Sequence, residues 1–396
     1  MSKSCYNITL KVLLGLNGFA AALILLTVLL SWFPQVLPKE YQSIHQYRDN
    51  NANRTITRQW TTHSGDLVEL LDDQLTLPPE ETILIPEITT PLDANGFVMS
   101  TRPADHYPII ALGDSYNFSI LVETSWLTML SDALDTPIQN LSYEGYGLQE
   151  QLDVLAAYGS PNPDWIILTY FEGNDLIRDV PNYRPNDRSI QWSILSDLLI
   201  DFFHKTLLGE ELSYGEAEFP ISVSDTYEMA FFPPYFWGLN AKIDTFERSR
   251  NVETYGAMLA ELRADYPNTC LLMVYIPTKS RVYFPLLTQE QQLIYLTTDY
   301  AELTTGGNGY LSPQPAAFNP DTLPDFLSRL GNQEAVIASL VAQYEIDFVS
   351  LYDATLERAQ DGEFVYYPFD THWNQAGYDM AAEVMIEYFQ TQTDCQ

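Results

Sequence analysis

From residue 107 onward the chain repeats one pattern: a short apolar run, a junction of small polar residues, then a stretch with helical spacing. The runs are Pro108 to Leu112, Pro137 to Leu141, Trp165 to Phe171, Cys270 to Ile276 and Asp347 to Leu351. Between and after them, Ile120 to Leu134, Leu148 to Tyr158, Val252 to Ala264, Glu334 to Tyr344 and Gln375 to Phe389 read as helices. Short apolar strands alternating with helices demand a parallel sheet covered on both faces, hence an α/β fold. Two stretches break the rhythm. Residues 178–250 are rich in aromatics and proline (Phe231-Phe232-Pro233-Pro234-Tyr235-Phe236-Trp237). They form either an insertion packed on the domain or an aromatic platform of the kind that contacts sugars. Thr304 to Asp325 is rich in Gly, Pro and Asn and reads as loop.

Upstream, Val12 to Phe33 carries no charge and is interrupted mainly by Asn17. As a helix it extends about 33 Å, enough for a hydrocarbon core of about 30 Å. A cleaved signal peptide is the competing reading. Ser31-Trp32-Phe33-Pro34 offers no pair of small residues for cleavage, so an uncleaved anchor is expected. Lys3 and Lys11 precede the span and Lys39 and Arg48 follow it, so the cation count barely orients it. The short head and large acidic body favour the body outside. The expected organisation is a cytoplasmic head (1–11), an anchor (12–33), a stem and lead-in (34–105) and the α/β domain (106–390) carrying the 178–250 insertion.

Charge removes several function classes. The 53 Asp+Glu outnumber 19 Lys+Arg for a net charge of -34, the reverse of a nucleic-acid binder's basic face. Cys5, Cys270 and Cys395 are widely spaced and suggest neither a disulfide framework nor a zinc site. Cys270 reads as a small buried hydrophobe.

The strand ends hold the chemistry, and open α/β sheets place ligands at that edge. Gly113-Asp114-Ser115 sets a serine between a strand and a helix, where an N-cap is the simpler reading. Asn140-Leu-Ser-Tyr-Glu-Gly145-Tyr-Gly147 follows the second strand, and its glycines allow close backbone approach. Gly173-Asn174-Asp175 follows the third; Asn174 can offer an amide to a developing oxyanion, although all three are turn residues. Asp370-Thr371-His372-Trp373-Asn374 precedes the last helix. A serine nucleophile needs a base, and the base needs an orienting group; His372 and Asp370 supply both. Asp-x-His could also ligate a metal, but His45, His63, His106 and His204 are scattered and no His-Glu-x-x-His run occurs. No metal and no cofactor is expected.

In this order the blocks resemble those of the SGNH hydrolases, the GDSL-like esterase/lipase superfamily, over roughly residues 105–390. The resemblance implies a flavodoxin-like α/β/α sandwich with about five parallel strands. It implies Ser115 as nucleophile, His372 as general base and acid, and Asp370 as its partner. It further implies an oxyanion hole from the Ser115 amide, the Gly145 amide and the Asn174 side chain. Many members place the acid three residues before the histidine; here it is two. That short Asp-x-His-Trp form is similar to the alginate O-acetylation proteins of the AlgJ/AlgX type. The implied activity is a membrane-anchored, extracytoplasmic esterase acting on O-acetyl groups of a carbohydrate, or an O-acetyltransferase using the same triad. A tethered carbohydrate-binding module without catalysis is the alternative from another class. Tyr116, Trp373, Arg178 and Lys279 are candidate substrate contacts, with Arg281 another source of local positive charge. An unperturbed His372 would titrate near 6.5. The oligomeric state stays open.

Overall fold

The computed structural model describes residues 53–58, 88–119, 122–176, 219–224, 227–231, 235, 239, 241–297, 320–367 and 370–392. The expected anchor, the head and Arg178 lie outside these residues. Among the described residues no helix is long and apolar enough to cross a membrane.

All of the expected sheet strands form. They are β1 (Ile109–Leu112), β2 (Ile138–Asn140), β3 (Trp165–Phe171), β4 (Cys270–Ile276) and β5 (Asp347–Ser350). Every pairing is parallel, and the spatial order is β2-β1-β3-β4-β5. The central strands are buried over nearly their whole length, which explains why they read as continuous apolar runs rather than alternating ones. The chain leaves β1 toward β2, then crosses back past β1 to β3. That reversal is the topological switch point of a flavodoxin-like sheet, where a crevice opens beyond the strand ends.

The helices fall into two groups. Helix α1 (Trp126–Leu134) packs against α5 (Gln375–Thr391), whereas α3 (Arg250–Asp265) packs against α2 (Leu148–Tyr158) and α4 (Asn332–Ala342). Reversal of the order in which strands are added at β1 requires this split, and the result is three layers. Alternate strand residues Ile109, Ala111, Ile167, Leu272 and Val274 share one core with Trp126, Leu130, Met380 and Met385.

Several local expectations change. The helix read over Ile120 to Leu134 begins only at Trp126, because Ser125 adopts an extended backbone and its side chain accepts from Thr128 N. Just upstream, Ser119 turns left-handed at φ 54° and ends the one-turn helix Ser115–Phe118. Within the expected stem, Thr55–Arg58 pairs antiparallel with Ile88–Pro91. Part of the expected 304–325 loop is helical, at Leu323–Leu327, with Pro324 in the first turn, where a missing N–H costs nothing. The insertion contains an antiparallel hairpin, Phe219–Ser224 with Tyr227–Phe231. Its described aromatics Phe231 and Tyr235 are buried and stack edge-on against Tyr295 and Phe171, so they belong to the core rather than to an open platform. Cys270 is disulfide-bonded and only half-buried, a correction to its reading as a free buried thiol. Its partner lies outside the described residues.

Candidate active site

The nucleophile's position is set by the turn after β1. A Cβ on Gly113 would stand 2.0 Å from Thr169 Oγ1 and 2.6 Å from Asn117 Nδ2, so only glycine lets β1 turn here against β3. Asp114 then caps the short helix, its carboxylate accepting from Tyr116 N at 3.0 Å. Ser115 is thereby the first residue of that turn. Asn117 locks the turn from below. Its Nδ2 donates to Leu112 O at 3.1 Å, its Oδ1 accepts from Trp126 Nε1 at 3.1 Å, and its carbonyl accepts from Asn140 Nδ2 at 2.8 Å.

That last bond ties the second block to the first. Beyond β2 the backbone continues to pair, Leu141 N donating to Ala111 O at 2.9 Å and Tyr143 N to Gly113 O at 3.3 Å. The loop then turns through Gly145 at φ 71°, a left-handed value that glycine adopts without strain. The third block leaves β3 through Gly173, where a Cβ would meet the Phe171 ring at 2.5 Å and Tyr235 at 2.9 Å. Asn174 follows, 6% exposed, with its carboxamide oxygen unpartnered among the described residues. Such a buried amide is costly unless something else engages it. Ser115, Gly145 and Asn174 thus stand at the carboxyl ends of three neighbouring strands, on the edge where the sheet reverses.

The base comes from the far end of the chain. An isolated bridge pairs Tyr366 with Trp373, and Tyr367 N donates to His372 O at 3.0 Å, closing a loop that holds the acid and the histidine. His372 Nε2 lies 2.7 Å from Ser115 Oγ, and Nδ1 lies 2.5 Å from Asp370 Oδ1. The same carboxylate oxygen accepts from His372 N at 2.7 Å. The two-residue spacing therefore works: one oxygen of Asp370 binds both the backbone and the ring of His372. With Nδ1–H donating to a carboxylate, the Nε2 lone pair faces the serine hydroxyl.

The electrostatics depart from the sequence expectation. Burial alone would lower the His372 pKa. The Asp370 carboxylate, in contact and hydrogen-bonded, overrides that; Asp114 and Glu144 add to it, raising His372 to about 9 rather than leaving it near 6.5. Burial would likewise raise Asp370, but the His372 and Lys279 cations and the bonds from His372 hold it below the usual carboxylate value. Among the described residues no group of His, Cys, Asp and Glu is arranged to hold a metal ion.

The four candidate substrate contacts fare differently. Tyr116 and Trp373 are buried, at 1% and 0% exposed, and meet edge to face at 4.9 Å beside the imidazole rather than on an open face. Tyr116 also donates from its hydroxyl to Thr371 O at 2.7 Å, and burial pushes its pKa well up so that it stays a donor. Lys279 is 3% exposed and donates to Asp370 O at 2.8 Å and Tyr367 O at 3.3 Å. None of these three can meet a substrate. Arg281 is no local positive patch either, being buried against Glu172 at 2.7 Å and paired with Glu334. Glu172 escaped the sequence reading. It sits directly before Gly173 and accepts from Tyr275 OH at 2.7 Å and from Thr278 N at 2.9 Å. An acid closing an otherwise apolar strand was the available signal.

Fold and site together define an α/β protein with a Ser–His–Asp constellation at the switch point of its sheet. No protein-family model matches the sequence, and no curated protein matches it. Solved structures with a similar course include a lipolytic G-D-S-L family protein from Veillonella parvula, with TM-score 0.33 and 14% identity over 72% of this chain and 98% of that one. An extracellular lipase from Streptomyces rimosus gives TM-score 0.38 and 12% identity over 71% and 97%. An acetylxylan esterase from Geobacillus stearothermophilus gives TM-score 0.32 and 11% identity over 72% and 94%. At these values the likenesses remain likenesses, and the chemistry has to come from the site's own atoms.

Proposed function

We propose that this chain is an SGNH-type serine esterase that acts through a covalent acyl-enzyme on O-acetyl groups of a carbohydrate. The observation that carries the reading is the continuous hydrogen-bond path from Ser115 Oγ through His372 to Asp370, at 2.7 and 2.5 Å. In its neutral form His372 accepts the Ser115 proton through Nε2 while Oγ bonds to the ester carbonyl carbon. Asp370 holds the ring in that tautomer and stabilises the imidazolium. Negative charge develops on the carbonyl oxygen, facing the Ser115 and Gly145 amides and the Asn174 carboxamide. Asn174 suits this role because its Nδ2 can donate to the oxyanion from a side chain held at the carboxyl end of β3. Collapse expels the alcohol, which takes the proton from Nε2. Water, deprotonated by the same nitrogen, then releases the acid.

The carbohydrate assignment rests on the short Asp-x-His-Trp block. An anchored body outside the cytoplasmic membrane is supported by the uncharged run Val12 to Phe33 and by the disulfide at Cys270, a bond that persists in oxidising compartments. The test is turnover of an activated acetyl ester, then of acetylated oligosaccharides, by the full chain and by Ser115→Ala. Wild type is expected to release acetate and the variant is not. Equal inertness of both across several acyl donors would overturn the reading. Acetate appearing on an added sugar instead of in solution would identify a transferase using the same residues.

A further inference from the structure

We propose that Lys279 is a positioning residue, whose ammonium fills the acid–histidine loop and holds Asp370 and His372 in register with Ser115. The inference rests on the triad reading above and adds a residue to it. The loop from Tyr366 to Trp373 is closed at its base by the bridge between those residues, and its described residues form no helix or strand between the two ends of that bridge. A backbone without regular pairing needs other donors for its buried carbonyls. Lys279 supplies them, reaching Tyr367 O at 3.3 Å and Asp370 O at 2.8 Å, one on each side of the loop. Three donors on one compact cation suit this geometry, and the loop's carbonyls replace the water that the buried ammonium lost.

A brace must itself be fixed, and this one is. Lys279 opens the short helix Lys279–Tyr283, capped by Thr278. Thr278 donates through both N and Oγ1 to the buried carboxylate of Glu172, at 2.9 and 3.1 Å. Arg281, two residues on, meets the other oxygen of Glu172 at 2.7 Å and covers the Tyr352 ring at 4.1 Å. From the loop side, Tyr366 OH donates to Pro277 O at 2.6 Å. The segment after β4 is therefore tied down to the end of β3, immediately before Gly173 and Asn174, and also upward to the loop. One short element sets the distance between the oxyanion side of the site and its base. On the opposite side Tyr116 grips Thr371 O, so the loop is held from two short helices at once, those that follow β1 and β4.

The test compares Lys279→Met with wild type in the full chain. Methionine keeps the length and loses the donors. The brace predicts a fall in kcat of about 10²-fold, the cost of a displacement on the order of 1 Å at the reacting groups, with KM little changed. It also predicts that the ionisation governing kcat/KM moves from about 9 toward 6.5, because a released Asp370 no longer supports the imidazolium. Loss of the cation's field alone would move that ionisation the other way. The low-field proton resonance of His372 Nδ1–H, read without substrate, should disappear in the variant. Unchanged rate and resonance, or a slower enzyme with both resonance and pH limb in place, would overturn the proposal. Should Lys279→Met fail to fold, Lys279→Gln, which keeps a polar end but loses the charge and the reach to both carbonyls, must shift the same readings in the same direction; unaltered readings there would also overturn it. A wild-type protein that turns over no ester but shows the resonance would count against the esterase reading and leave the brace standing.

Discussion

Replacing Asp370 with asparagine removes the charge that sets the proton affinity of the base while keeping its shape. In the wild type His372 is raised from 6.5 to about 9, a difference worth about 3 kcal/mol in favour of the imidazolium. The sign has a kinetic consequence. Catalysis needs the neutral ring, so at pH 7 only about one free enzyme in a hundred carries it. For the wild type, kcat/KM should therefore climb about tenfold per pH unit from pH 6.5 and level off near 9. In Asp370→Asn the principal raising influence is gone, and burial is opposed only by Asp114 and Glu144, so the limb should move well below 9. The rate on the plateau should fall by about 10⁴-fold, because an amide can hold the ring in the wrong tautomer. The assay is initial-rate hydrolysis of an activated acetyl ester between pH 5 and 10, with Ser115→Ala as the blank. A limb that stays in place, or a plateau within a few-fold of wild type, would refute the assignment of Asp370 and the electrostatic reasoning together.

Other expectations follow from the same geometry. Asn174→Ala should lower kcat by about 10²–10³-fold through loss of one oxyanion donor. Its thermal midpoint should hardly move, since the side-chain oxygen has no structural partner among the described residues. Gly113→Ala should destabilise the fold by about 1–3 kcal/mol in denaturant unfolding, because the new Cβ would overlap Thr169 Oγ1 and the Asn117 amide. Thiol titration of the unfolded, unreduced chain should find a single free cysteine of the three, and all of them after reduction, given the disulfide at Cys270.

How far the sequence could be read depended on the range of the forces involved. The sheet was legible because β1, β3 and β4 are buried on both faces and their apolar runs have no other use. Helix α2 was legible from Leu148 to Tyr158, bounded by Gly147 and Gly159, whereas the start of α1 depended on how the Ser125 side chain caps it. The blocks around Ser115, Gly145, Asn174 and His372 carried their meaning in local order. Long-range polar contacts carried no such mark. Lys279 read as a substrate contact and Arg281 as local positive charge, and only the fold brings them against Asp370 O and Glu172, some 91 and 109 residues away in the chain. Tyr116 and Trp373 looked available to substrate because aromatic residues beside a nucleophile read the same way whether they face a ligand or the core. The rise in the His372 pKa comes mainly from Asp370, two residues away, and depends on the close contact that only the folded loop makes, with Asp114 and Glu144 adding to it from other strand ends.

The central claim is that Ser115 Oγ, activated by His372, is the nucleophile. Its most direct test is intact and peptide mass spectrometry of the full chain after brief exposure to a fluorophosphonate ester at pH 9. A single adduct on the peptide containing Gly113-Asp114-Ser115, absent in Ser115→Ala and formed far more slowly in His372→Ala, is the predicted result. No adduct in the folded wild type, or equal labelling in all three proteins, would contradict it.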